Sequence, residues 1–180
     1  MWLSGEGTSD AICNFKWCKW ILNKCNIFMW KACMDRIPTM WALRRRNIMV
    51  GDGRCVFCGD VDETTDHIFT TCRLASGVWS GIASWCNLSP NYLFSISDVL
   101  QVINQMDGSK KKKEIVHGVL VLTCWRIWKE RNEKNLINND VNVVQIVSDV
   151  KSLGYLWYRS RFKDGTVDWK GWCRFSFEMM

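Results

Sequence analysis

Proline is nearly missing from this 180-residue sequence, with Pro38 and Pro90 as its two copies. Proline breaks helices, so its scarcity leaves long stretches open to them. The opening segment, Met1-Trp2-Leu3-Ser4-Gly5-Glu6, has neither the basic nor the apolar region of a secretory signal. Long hydrophobic runs are lacking too. The greasiest stretch, residues 115–128, contains His117 and Arg126 and falls short of a bilayer core of about 30 Å. A soluble, intracellular protein with no membrane partner is expected. No glycine-rich loop is present to cradle phosphates. No two aspartates adjoin in the way a polymerase uses to hold two metal ions. Histidine is limited to His67 and His117. A cysteine nucleophile would need one of them as its base, and His117 has no evident carboxylate to orient it. These gaps argue against an enzyme, and no catalytic residue is assigned. No internal repeat occurs.

What the chain does have is tryptophan and cysteine. Twelve tryptophans, residues that favour cores and interfaces, point to a packed body rather than a tail. With 48% hydrophobic and 23% charged residues, the length suits one domain, or one domain with a helical extension. In a reducing compartment the ten cysteines are metal ligands or small core hydrophobes rather than a disulfide framework. Cys13, Cys18, Cys25, Cys33, Cys86, Cys124 and Cys173 show no ligand spacing and read as buried free thiols. The net charge is +6. Its excess is clustered in Arg44, Arg45 and Arg46, near Arg36, and in Lys110, Lys111, Lys112 and Lys113. Such clusters suit nucleic acid, and equally a solvated helix end.

Apolar spacings of three and four mark amphipathic helices. Trp17, Trp20, Ile21, Cys25, Phe28 and Ala32 predict one over residues 14–34. Pro38 ends that pattern, and Thr39 can cap a short helix over 40–47 whose end carries the arginines. Gly51-Asp52-Gly53 is turn chemistry, followed by a knuckle at Cys55-Val56-Phe57-Cys58-Gly59 and an acidic stretch. Thr64 or Thr65 can cap the next helix, broken near Cys72 and carrying Ile68, Val78, Ile82 and Trp85. Pro90 and Asn91 make a loop. Further helices are expected over 98–106 with Ser97 as cap, over 112–135, and after Asp140. Residues from 166 onward read as a short strand or an irregular wrap.

The chemistry concentrates in Cys55-x2-Cys58-x8-His67-x4-Cys72. Two residues between cysteines let a knuckle turn both thiolates inward, and a His and a further Cys complete a tetrahedron around zinc. Four protein ligands leave no position for water, so the site is structural rather than catalytic. The x4 gap exceeds one helical turn, so the helix should distort or end between His67 and Cys72. His117 reads as a core or boundary histidine.

The order of these elements resembles a known family. Arg36-Ile37-Pro38-Thr39, Leu43 with its basic run, Asn47-Ile48, the cysteine knuckle, Glu63-Thr64, His67-Ile68-Phe69, Cys72 and Val78-Trp79 are similar to the reverse transcriptase zinc-binding domain of plant non-LTR retrotransposon polyproteins. The resemblance spans residues 12–88 closely. It runs more weakly through a helical extension over 95–180, where Trp125, Trp128 and Arg131-Asn132 are similar to the extension that often follows the domain, and Asp168-Trp169-Lys170-Gly171-Trp172-Cys173 resembles the usual end of such reading frames. It implies one structural zinc ion on Cys55, Cys58, His67 and Cys72. It also implies that an RNA-directed DNA polymerase belongs to the parent polyprotein and not to this segment. The expected fold is mainly α around a small CCHC zinc knuckle, in an accessory module that binds RNA or DNA. Arg44, Arg45, Arg46, Lys110, Lys111, Lys112 and Lys113 would meet phosphates, and Phe57 would stack on bases. The alternatives are a Trp-rich helical domain that packs on a polymerase or another protein chain, and a non-functional retroelement fragment. A nuclear location fits the basic runs.

Overall fold

The computed structural model describes residues 15–49, 51–89, 93–137, 140–162 and 167–176. Cys13, the Pro90–Asn91 loop and the outer ends of the first and last predicted segments lie outside the described residues. Among those described, the chain is mainly helical and has no strand. Its helices are α1 (Asn23–Cys33), α2 (Met40–Arg44), α3 (Arg73–Cys86), α4 (Ile96–Gln105), α5 (Lys110–Ile137), α6 (Val143–Arg161) and α7 (Trp169–Cys173), with a π-helical turn at His67–Thr71 before α3.

The axis of the fold is α5, against which α1, α4, α6 and the π-helical turn all pack. Its middle is apolar on every side, with Ile115, Val116, Val119, Leu120, Leu122 and Ile127 all buried. A helix with that pattern has to be enclosed by others. One hydrophobic core runs from Phe15 through α1, α3, α5 and α6 to Trp172 and Phe175.

Tryptophan ties these segments together. The indole N–H of Trp20 donates to the Glu114 carbonyl at 3.1 Å, that of Trp79 to Phe69 at 2.6 Å, that of Trp85 to Trp172 at 3.1 Å and that of Trp172 to Lys151 at 2.8 Å. A buried N–H left without such a partner would cost about 1–3 kcal/mol, so each ring is fixed in orientation as well as place. Trp20 needs a gap to enter. A Cβ on Gly118 would lie 2.2 Å from its Cζ2, which makes glycine obligatory on that face of α5.

Several sequence expectations need correction. The first helix begins at Asn23, not at residue 14, and residues 15–22 are irregular. The cause is Asn26, whose side chain accepts from Cys18 N–H and donates to Cys18 C=O, both at 2.9 Å. It thereby ties the preceding segment back onto α1. Thr39 caps α2 as expected, accepting from Ala42 N–H at 3.1 Å. The helix stops at Arg44 because Asn47 turns left-handed (φ 58°) and Ile48 N–H returns to Leu43 C=O at 3.0 Å. Ser95 rather than Ser97 caps α4, in a reciprocal capping box with Asp98. The lysine run lies inside α5, and Asn142 rather than Asp140 caps α6. In the described part of the tail, residues 167–176, a short helix replaces the expected strand or irregular wrap: Asp168 accepts from Gly171 N–H at 2.7 Å and starts α7. Cys33 and Cys173 are half-buried, whereas Cys18, Cys25, Cys86 and Cys124 are buried as anticipated.

Candidate metal centre and basic surface

The knuckle forms because the backbone crosses itself between residues 53 and 63. Cys55 N–H donates to Val61 C=O at 2.8 Å, Glu63 N–H to Gly53 C=O at 3.0 Å and Gly59 N–H to Cys55 C=O at 2.8 Å. Arg54 and Asp62 form the single bridge. Gly59 sits at φ 72°, a region open to glycine and strained for other residues. It turns the chain directly after Cys58.

The other two candidate ligands come from the segment leading into α3. Thr64 Oγ1 accepts from His67 N–H at 3.1 Å and starts the turn. From His67 to Thr71 the helix widens, so that Cys72 N–H reaches His67 C=O, five residues back, at 2.9 Å. Cys72 then adopts extended geometry (φ −68°, ψ 140°) before α3 resumes. The helix distorts and breaks in the gap where the ligand spacing required it.

These pieces bring Cys55, Cys58, His67 and Cys72 together, with their ligand atoms all within 4.8 Å of one another. The Cys55 and Cys72 sulfurs are 3.9 Å apart, and Cys58 Sγ is 3.3 Å from His67 Nε2. A tetrahedral ion with the usual Zn–S and Zn–N bonds needs S–S edges of about 3.8 Å and S–N edges of about 3.6 Å. The four residues therefore fit a metal ion of that size, and they fill its shell. Cys55 and Cys72 are buried while Cys58 and His67 are half-buried.

The electrostatics suit the same role. Hydrogen bonding to Cys72, with burial, pushes the Cys55 thiol up. The same bond from Cys55 pulls Cys72 down, helped by the backbone N–H groups of Leu74 and Ala75. Burial lowers His67 and keeps its imidazole in the neutral, ligating form. Of the scattered thiols, the buried Cys18 is pushed up to about 11 and the buried Cys25 up to about 12 by loss of solvent. They are inert core groups.

Three supporting residues were assigned no role from the sequence. Thr71 Oγ1 lies 3.0 Å from His67 Nδ1. With the proton on Nδ1, the hydroxyl holds the ring so that Nε2 faces the sulfurs, as second partners of metal-binding histidines do. The His67/Thr71 spacing of one helical turn was the available signal. Glu63 is fully buried and accepts from Met40 N–H at 2.9 Å. Arg131 of α5 grips the same carboxylate, with Nη2 to Oε1 at 2.6 Å and Nε to the two oxygens at 3.1 and 3.2 Å. The guanidinium also lies over the Trp128 ring, 5.0 Å from its centroid. The Arg131 element is thus the clasp that holds the knuckle to the long helix. No local sequence signal links two residues so far apart.

The two basic runs are not one surface. Arg44 and Arg45 face Asp62 at 3.8 Å and Asp35 at 3.5 Å, and Arg46 is exposed. Lys110, Lys111, Lys112 and Lys113 open α5, about 30 Å along its axis from Arg131. Phe57 is half-buried against the core rather than displayed. His117 is buried, its Nε2 2.6 Å from the Lys16 carbonyl, as expected of a structural histidine. No helix among the described residues is long and apolar enough to cross a membrane.

Compared with known proteins, residues 1–79 match the family model described as zinc-binding in reverse transcriptase. The match includes all four candidate ligands and ends at Trp79. No curated protein and no solved structure matches the chain.

Proposed function

We propose that the chain, whose residues 1–79 match the family model described as zinc-binding in reverse transcriptase, is a zinc-holding accessory module from the C-terminal part of a plant non-LTR retrotransposon polyprotein. In this reading it binds nucleic acid through basic residues, works in the nucleus and has no polymerase activity of its own. The observation that carries it is the closure of Cys55, Cys58, His67 and Cys72 to within 4.8 Å inside the matched segment. Zinc bound there supplies cross-linking rather than catalysis, since four protein ligands exclude water from its shell. The residues around it shape the knuckle. Thr71 orients His67, Gly59 turns the loop and Glu63 anchors its base.

Metal content tests this reading. One zinc per chain is expected in protein purified without chelator, and none in Cys58→Ser. Binding to RNA or DNA oligonucleotides should weaken steeply with salt, because each neutralised phosphate releases a counterion. A folded chain without metal, or primer extension above the Cys58→Ser background, would overturn it.

A second reading draws on exposed aromatic surface. Trp17, Trp30, Trp41 and Trp169 are all more than a third exposed, and exposed aromatic surface of this kind serves a partner where it forms one patch. A protein-interaction domain would use that surface, and a stable complex with a polymerase domain in the absence of nucleic acid would favour it.

A further inference from the structure

The lysine run at the start of α5 gains its meaning from what packs beside it. Residues 15–20 lie against the first turns of α5: His117 Nε2 meets the Lys16 carbonyl at 2.6 Å, and Trp20 N–H reaches the Glu114 carbonyl at 3.1 Å. Between these two anchors Lys16, Trp17 and Lys19 face outward, and Trp17 is 51% exposed. The two anchors set Lys16, Trp17 and Lys19 beside the face of α5 that carries Glu114 and His117, close to its start. The carboxylates in the same stretches are Asp107 and Glu114. On α5 the positions one and two turns before His117 are Lys113 and Lys110, so Lys16, Lys19, Lys110 and Lys113 lie on the side of the helix that carries Trp17. The arginine run sits on another element, at the end of α2, where Arg44 and Arg45 face Asp62 and Asp35.

Resting on the nucleic-acid reading above, we propose that Lys16, Trp17, Lys19, Lys110 and Lys113 form a binding surface for single-stranded nucleic acid. Trp17 stacks on an unpaired base while the lysines track the phosphates, and the arginine run serves the fold. An open aromatic face among cations fits a strand with exposed bases better than a duplex, whose bases are already stacked.

The test uses the full chain and fluorescence anisotropy with a labelled oligo-U strand, a hairpin duplex of equal length and phosphatidylserine vesicles. The expected result is preference for the strand, a loss of about tenfold or more in Trp17→Ala and recovery in Trp17→Phe. The Lys110→Gln/Lys113→Gln variant should lower the salt slope by about 1.4, at about 0.7 per phosphate contact on single strands. The Arg45→Gln/Arg46→Gln variant should bind as the parent does. Strand binding unchanged by Trp17→Ala, or lost in the arginine variant instead, would overturn this surface and leave the nucleic-acid reading standing. Binding to vesicles but to neither oligonucleotide would overturn both, as would binding to nothing.

Discussion

In residues 115–124 of α5 every side chain is buried, whereas across residues 53–63 burial is confined to Gly53, Cys55 and Glu63. The helical body is held by area removed from water, at about 25 cal/mol per Å2 of apolar surface, with indole N–H groups that fix its register. The knuckle has almost no such area. Its candidate holding force is four ligands on one ion, a type of bond worth about 10 kcal/mol or more in small zinc modules. Two stabilising principles thus meet in one chain, and Glu63 with Arg131 is where they are joined. A buried pair of this kind gains little over apolar packing, but breaking it strands a charge away from water.

Metal removal should separate the two regions most sharply. With chelator, or in Cys55→Ser, amide exchange should speed up at Cys55, Gly59 and Cys72 while the middle of α5 stays protected. Joint collapse of both would show that the body depends on the metal as well. Next in size is Arg131→Met, which leaves the Glu63 carboxylate buried without its partner. A cost of about 3–5 kcal/mol is expected in denaturant melts, and adding Glu63→Gln should restore part of it. The same variant should weaken metal affinity in a cobalt titration, since Glu63 anchors the base of the knuckle.

Gly118→Ala breaks the body alone. The new methyl would fall on the Trp20 ring, for a loss of about 1–3 kcal/mol by chemical denaturation with metal content unchanged. The smallest effect concerns pH. Burial holds His117 below its ordinary 6.5, although the Lys16 carbonyl opposes the shift. The unfolded chain therefore takes up a proton at a pH where the folded chain stays neutral. Stability from this residue is present above about 6.5 and falls as the pH drops towards the depressed value. His117→Gln, which keeps an N–H for Lys16, should flatten that part of a melting-temperature profile between pH 7 and 5.

The clustering of the four candidate ligands was legible in the sequence because its chemistry is local. Cys55 and Cys58 must share a knuckle, and the gap from His67 to Cys72 has to break a regular helix. The helices were legible by period. Their starts were not, because neighbouring candidates compete and the tertiary structure chooses: Asp66 Oδ1 accepts from Ile96 N–H at 2.8 Å and helps to fix where α4 begins. Residues 15–22 carry helical spacing for another reason. Trp20 and Ile21 are buried by a chain that folds back, with Asn26 holding Cys18. The Glu63–Arg131 clasp joins two ordinary charged residues, and only the packing of α5 brings them together.

The widened turn between His67 and Thr71 acts as a length gauge. Its backbone carries one residue more than an ordinary helix needs, and each helical residue rotates the chain by about 100°. Deleting Thr70 would let the strand of hydrogen bonds close in the regular pattern and would swing the Cys72 sulfur away from its three companions. The shortened chain would make a better helix and hold no ion. Spacing in that turn, more than the nature of its side chains, is what the centre requires.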